Sequence, residues 1–343
     1  MERNTVKSKK LFSIAVGGVG AASLVLAATL PAAQADPVGP PEYRTLAGMG
    51  SDTTMDLMNA LSEVVTVDGV KVIASYNAIP DGPPVTTKDP ATDPQCVDYP
   101  RANGSSSGRD ALQSSLQAGD NCLQFARSSS GRGGKTTEIP MAWVPYATDN
   151  LTFAVNAFGT VPAQLTKNEI VAIFKCENSS FQPALVQTGS GTRSSWLKYV
   201  GITEDEIAAG SYPCLVPEAD GGNFPGPLPQ EHDGRTLKAN QIMPYSASVY
   251  QAQMWKSAND RRGDAVLGVI DGVAPTVNNT AFSGVRDVYN IIPAAKADDP
   301  TSIEYQVFVG PNSLICQAKP TINLQGFGDL GDPSTCGDAS DRS

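Results

Sequence analysis

Hydroxyl-bearing residues set beside glycine recur at four places in this chain. The most telling is Gln187–Trp196, QTGSGTRSSW, where two glycines flank Ser190 and Thr192 follows. Glycine lets backbone approach a ligand closely, and Ser and Thr hydroxyls donate hydrogen bonds. The first N–H groups of a helix are unpaired and lie at the positive end of its dipole. A loop of this type opening a helix therefore suits an anion. Related stretches stand at Gly50–Thr54 (GSDTT), Asn103–Gly108 (NGSSSG) and Arg127–Gly134 (RSSSGRGG). One such loop alone reads as an ordinary Ser or Thr N-cap; the recurrence points to a shared anion site.

Other chemistries fit less well. Gly134-Lys135-Thr136 suggests a nucleotide P-loop, but Ser129 stands where its first glycine belongs. Ser190 lies in T-G-S-G-T, not in the G-x-S-x-G of a nucleophile elbow. His232 with Asp233 offers material for a triad, yet a lone histidine in a Pro/Gly loop reads first as a loop-pinning residue. No CxxC occurs and His232 is the only histidine, so no metal site and no cofactor are expected.

The elements that must position the loops follow from periodicity. Tyr43–Met49 reads as a strand before GSDTT, and Leu57, Met58, Leu61 and Val65 share one face of the helix after it. Val70–Tyr76 reads as the next strand. NGSSSG opens a helix with Leu112 and Leu116 inside, and RSSSGRGG ends a strand at Cys122–Ala126. Ile139–Tyr146 and Leu151–Asn156 read as two strands around a turn at Thr148–Asn150. Capping-box signatures stand at Thr166–Glu169 and Thr203–Glu206. Trp196, Leu197 and Val200 form a helical face behind the GSGT loop, with Gly201 as its stop. Gln241–Tyr245, Val266–Val273 and Val285–Ile292 read as strands and Ser246–Asn259 as a helix, while Ser302–Val309 fits either state. From Gln325 the chain is rich in Gly, Asp and Ser, and a loose tail is expected apart from Cys336. Strands alternating with helices argue an α/β chain with largely parallel sheets, whose ligands sit beyond the carboxyl ends of strands.

With 343 residues the chain is long enough for about two domains. Residues 1–35 have the pattern of a secretory signal peptide: basic Arg3, Lys7, Lys9 and Lys10, apolar Leu11–Leu30, and an Ala33-Gln34-Ala35 cleavage site. Cleavage after Ala35 and a secreted protein are expected. No cysteine precedes Cys96, so no lipoprotein anchor is expected. The formal net charge of −10 becomes −13 once the leader's four basic residues and Glu2 are removed. Such a surface disfavours nucleic acid and anionic membranes, and it obliges any anion site to work through local donors. Six cysteines behind a leader suggest three disulfides, and pairing of sequence neighbours gives Cys96–Cys122, Cys176–Cys214 and Cys316–Cys336.

Taken in order, GSDTT, NGSSSG, FARSSSGR (Phe125–Arg132), EIPMAWVPYATDNLTFAVN (Glu138–Asn156), LTKNEIVAIF (Leu165–Phe174), QTGSGTRSSW and ANQIMPYSASVYQ (Ala239–Gln251) resemble the phosphate-binding proteins of phosphate ABC transporters. The resemblance covers roughly residues 43–316. It implies the type 2 periplasmic-binding-protein fold: two α/β domains joined by two crossing strands, with an oxyanion clamped between them. By it, residues 43–147 and 246–320 form lobe 1, residues 148–245 form lobe 2, and residues 321–343 form a C-terminal tail. The resemblance carries ligand contacts onto Ser190, Gly191 and Thr192, onto Ser105 or Ser106, and onto Ser51, Asp52 or Thr53.

Two departures from the family pattern stand out. Val186 and Thr188 replace an arginine and an aspartate ahead of the loop serine. Ser129 stands where the family ends its third strand with an aspartate that accepts a hydrogen bond from protonated phosphate. Arg127, Arg132, Arg109 and Arg193 lie in or beside the loops as candidate compensating donors, Arg127 foremost, and Asp52 is the candidate acceptor. The expected function is a solute-binding protein, not an enzyme, that captures phosphate or a related small oxyanion as a monomer and has an ABC permease as possible partner. The alternatives are a secreted phosphatase or hydrolase using Ser190 or His232, and a non-transport extracellular protein that keeps the fold.

Overall fold

A computed structural model describes Asp36, residues 43–277, Asn279 and residues 281–343. The expected leader and its cleavage site lie outside the described residues. Among the described residues no helix is long and apolar enough to cross a membrane.

The chain builds β1 (Leu46–Gly50), α1 (Met55–Val64), β2 (Ile73–Ser75), α2 (Ser105–Ala118) and β3 (Phe125–Ser128). It continues through β4 (Met141–Asn156), α3 (Lys167–Phe174), β5 (Gln182–Pro183), α4 (Gly191–Val200), β6 (Gln241–Ser246), α5 (Ala247–Trp255), β7 (Ala265–Leu267) and β8 (Val285–Pro293). These eight strands form one sheet in the order β2-β1-β3-β8-β4-β6-β5, with β7 paired to β4.

The sheet is mixed, not largely parallel. β1 is parallel to β2 and β3, and β5 to β6. β8, however, runs antiparallel to both β3 and β4, and β4 antiparallel to β6 and β7. The cause is β4, a single strand of 16 residues where the sequence suggested two strands and a turn. Thr148-Asp149-Asn150 has a turn-like composition, but here it is held extended by pairing with Asp287, Arg286 and Val285 of β8. Tertiary pairing overrides local preference, as is common in strands.

β4 feeds four core clusters, two along its first half and two along its second. Ala142, Val144, Tyr146 and Ala147 pack with Leu46, Phe125, Val288 and Phe308, while Met141 and Trp143 on the opposite face pack with Met49 and Leu112. Leu151, Phe153 and Val155 pack instead with Ile170, Trp196 and Leu215, and Ala154 packs with Met243 and Tyr245. β4 is buried on both faces along most of its length, and each half reads as an apolar run on either side of Thr148-Asp149-Asn150. Farther along the chain, Ala265 packs with Ala154, Met243 and Tyr245, and Ile270 and Phe282 pack with Leu151 and Trp196.

Local signals behave as expected at the caps. Thr166 and Thr203 both form reciprocal capping boxes with Glu169 and Glu206. Ser302–Val309, open between helix and strand, contains a helix at Ile303–Phe308.

The expected loose tail is a correction. Phe327, Leu330, Cys336 and Ala339 are buried in the first core cluster. Gly328 exchanges backbone hydrogen bonds with Thr148, and the Trp143 N–H donates to the Asp341 carbonyl. Few apolar residues occur in this segment, but those few are spent on the core.

All three disulfides join sequence neighbours as expected: Cys96–Cys122, Cys176–Cys214 and Cys316–Cys336. Replacing Cys96 and Cys122 together by alanine opens a loop with a sequence separation of 26 residues. Chain entropy puts the expected loss at about 3–4 kcal/mol, measurable as a lower denaturant midpoint.

Candidate functional site

Three helix N-termini converge on one cluster of hydroxyls. Thr53 precedes α1, Ser105 opens α2, and Gly191 and Thr192 open α4. Ser129, just past β3, stands among them. Its hydroxyl accepts from Ser51 Oγ at 3.1 Å and from Thr53 Oγ1 at 3.0 Å. Its backbone N–H donates to Ser105 Oγ at 3.0 Å, and Thr53 Oγ1 lies 3.1 Å from Thr192 Oγ1. Ser51, Thr53, Ser105, Ser129 and Thr192 are all buried. Residues as far apart as Ser51 and Thr192 are thus gathered in one place.

Glycine is required at the closest approach. A Cβ on Gly191 would lie 2.3 Å from Ser105 Oγ and 2.4 Å from Ser129 Oγ. At Gly104, with φ +125°, a Cβ would lie 2.5 Å from the Gly189 carbonyl oxygen. The two loops are stitched there, for the Ser106 N–H also donates to the Gly189 carbonyl at 3.1 Å. Ser190 is a true N-cap: its hydroxyl accepts from the Arg193 N–H at 3.1 Å and donates to Glu231 Oε2 at 2.6 Å.

The charged partners differ from those expected. Arg127 is fully buried, but its guanidinium donates to the Ser51 carbonyl, Ser75 Oγ and the Tyr76 carbonyl. It braces the first loop from behind, and burial pushes its pKa down to about 10. Arg193 is committed to Glu204 and the Val186 carbonyl, Arg109 to Asp110, and Arg132 to Asp341. The cation that meets the hydroxyl cluster is Arg286, on β8. Its Nη2 donates to Thr192 Oγ1 at 3.0 Å and reaches Thr53 Oγ1 at 3.5 Å. Nε and Nη2 also bind Asp149 Oδ2 at 2.9 and 2.7 Å, while Nη1 is buried without a hydrogen-bond partner among the described residues. Burial alone would raise the Asp149 carboxyl; Arg286 together with Ser246 and Ser248 holds it below the usual carboxylate range.

Asp52, the candidate ligand acceptor, is occupied as a tie. His232 Nδ1 donates to Asp52 Oδ1 at 2.8 Å, Gln230 Nε2 reaches Oδ2 at 3.5 Å, and Arg261 lies at 3.4 Å from both oxygens. Burial raises its pKa and the Arg261 charge and His232 outweigh that, so the carboxyl is held low. His232, with φ +59°, is itself fixed through its carbonyl, which accepts from Tyr245 and Gln253. His232 is therefore a loop-pinning residue, and its buried Nε2 makes no hydrogen bond among the described residues. A carboxylate from Asp52 and Glu231 with the His232 imidazole also makes a set of ligand atoms within 4.8 Å of one another, though Asp52 is already neutralised by Arg261.

Asp56, partly buried in the first turn of α1, has its pKa raised to about 6 by burial, which outweighs the opposing charge of Arg261. The folded state then holds more protons than the unfolded one between pH about 4 and 6, so stability falls as pH rises through that window. Asp56→Asn is expected to add about 1–3 kcal/mol at pH 7 and little at pH 4, checked by urea melts at both values.

Sequence reading brought out the hydroxyls but not Arg286, Asp149, Gln230, Glu231 or Arg261. Those sit in a strand interior or an irregular loop, with no local motif around them; a charged pair inside two apolar strands was the only signal available.

No family model matches the chain, and no match is found among curated proteins. Solved structures do match. A substrate-binding protein of a phosphate ABC transporter with bound phosphate, from Clostridium perfringens, aligns over 83% of this chain and 99% of its own, at 15% identity and TM-score 0.50. An ABC-type phosphate transport receptor from Vibrio cholerae aligns over 83% and 100%, at 15% identity and TM-score 0.49. The regulatory domain of a LysR-family regulator from N. meningitidis aligns over 84% and 99%, at 11% identity and TM-score 0.43. The chain thus has the mixed α/β fold of type 2 periplasmic binding proteins, the fold of the Clostridium perfringens protein.

Proposed function

We propose that the protein is a solute-binding protein that captures phosphate or a closely related oxyanion at the hydroxyl cluster. The observation that carries this reading is the convergence of Thr53, Ser105, Ser129 and Thr192 hydroxyls with Arg286 at three helix N-termini. Hydroxyls that bond one another here each have a proton to turn toward a shared anion. Backbone N–H groups of α2 and α4 add donors, and Arg286, with a side chain 9% exposed, adds charge.

The core clusters along the two halves of β4 would act as two lobes that close over the anion about β4 and β8. In that scheme the Asp52 tie to Gln230, His232 and Arg261 is the latch of the closed form. Secretion and a membrane permease partner belong to the same reading. The Clostridium perfringens protein, described as a phosphate ABC transporter substrate-binding protein with bound phosphate, agrees with it.

A hydrolase reading draws on the buried Asp52–His232 pair, but Ser190, the serine it would use, is engaged elsewhere: Ser190 Oγ donates to Glu231, not to the imidazole. Calorimetry with phosphate, sulfate and selenate tests the proposal. Binding of phosphate at micromolar Kd or tighter is expected. A folded protein that releases no heat with any oxyanion would overturn it.

A further inference from the structure

Beside the hydroxyl cluster lies a solvent-open cavity of about 620 Å³. It adjoins the cluster directly. Arg286 lines both, Ser130 follows Ser129, and Ser195 Oγ reaches the Ser129 carbonyl at 3.5 Å. The volume is far larger than a single tetrahedral anion needs and falls in the range of organic-ligand pockets, about 300–1,000 Å³.

Its charge runs against that of the protein. Five of its lining residues are cationic, Arg132, Lys135, Lys167, Lys198 and Arg286, against the single carboxylate Asp287. The whole chain carries −10. Arg132 is held by Asp341, but Lys135, Lys167 and Lys198 make no ion pair among the described residues. Lys167 Nζ sits 4.5 Å above the Tyr199 ring, which holds that charge at the wall. Lys135 is exposed, and desolvation together with the neighbouring Arg109 charge holds its pKa below the usual lysine range. Three unneutralised ammonium groups around one cleft of an acidic protein are a site for a second anionic group.

We infer that the natural ligand is a condensed phosphate, a diphosphate or longer chain, whose terminal phosphoryl group sits in the hydroxyl cluster and whose further phosphoryl groups lie along the Lys135, Lys167 and Lys198 wall. This rests on the proposed oxyanion site and names its substrate class. Arg286 is placed to bridge the two parts, with Nη2 on the cluster and Nη1 unpartnered. Binding involves no covalent step.

The test is calorimetry of the full chain with orthophosphate, pyrophosphate, tripolyphosphate and glycerol phosphate, on wild type and on the Lys135→Ala/Lys167→Ala/Lys198→Ala variant, with thermal melts to verify folding. Wild type should bind tripolyphosphate at least tenfold more tightly than orthophosphate. The triple variant should lose that advantage while its orthophosphate affinity changes less than threefold. Equal wild-type affinity for orthophosphate and tripolyphosphate overturns the inference and leaves the oxyanion site standing. Preference for glycerol phosphate over pyrophosphate also overturns it, in favour of an organic monoester. A variant that loses orthophosphate in parallel marks the lysines as a general attractor, and overturns it too. Binding of none of the four overturns both the inference and the reading beneath it. If the triple variant does not fold, Lys198→Ala alone should cost tripolyphosphate at least threefold and orthophosphate nothing measurable; equal losses count against the inference.

Discussion

Replacing Asp149 by alanine is expected to cost about 3–5 kcal/mol of folding stability, lowering Tm by the order of 10 °C. Asp149 is 1% exposed, and its side chain ties β8 to the junction of β6 with α5. Oδ2 takes the fork of Arg286 from β8. Oδ1 accepts from Ser246 Oγ at 2.6 Å and from the Ser248 N–H at 3.2 Å, at the start of α5. Removing the carboxylate strands a guanidinium that is 9% exposed and frees two donors, each left to find water that cannot easily reach it. Asp149→Asn keeps the shape but not the charge and should fall between wild type and alanine. Equilibrium denaturation of the three proteins checks the order.

Arg286→Lys should raise the Kd for phosphate about 100-fold with a smaller loss of stability. The guanidinium has enough N–H groups to hold Asp149 with Nε and Nη2 and still address the hydroxyl cluster. A lysine ammonium is a single point that must choose, and Asp149 lies closer. Charge-assisted hydrogen bonds contribute roughly 1.5–3 kcal/mol each, which sets the scale of the loss. Arg109→Lys, whose residue pairs with Asp110 at the surface, is the control and should leave affinity unchanged. Equal effects of the two substitutions would remove Arg286 from the site.

The parts of this site legible in the sequence are those with local causes. Glycine between hydroxyl residues at a helix start is a backbone arrangement, and Gly191 stands against Ser105 and Ser129 as such a loop requires. Capping at Thr166 and Thr203 is likewise decided within four residues. The Asp149–Arg286 pair spans 137 positions, and only the pairing of β4 with β8 creates it. A turn-like Thr-Asp-Asn hid the strand that carries Asp149. Arg127 had the right type and place in the sequence, but a strand's alternation decides which face a side chain takes, and its partners are Ser75 and Tyr76. The C-terminal segment looked too polar to fold because four scattered apolar residues, each buried, give no periodic signal.

The most direct test of the account is to locate a bound oxyanion. Crystals grown or soaked with arsenate, whose arsenic scatters anomalously, should give one strong peak within hydrogen-bond reach of the Ser105, Ser129 and Thr192 hydroxyls and the Arg286 guanidinium. A peak elsewhere in the molecule, or none while those four side chains keep the partners they have without the anion, would contradict it.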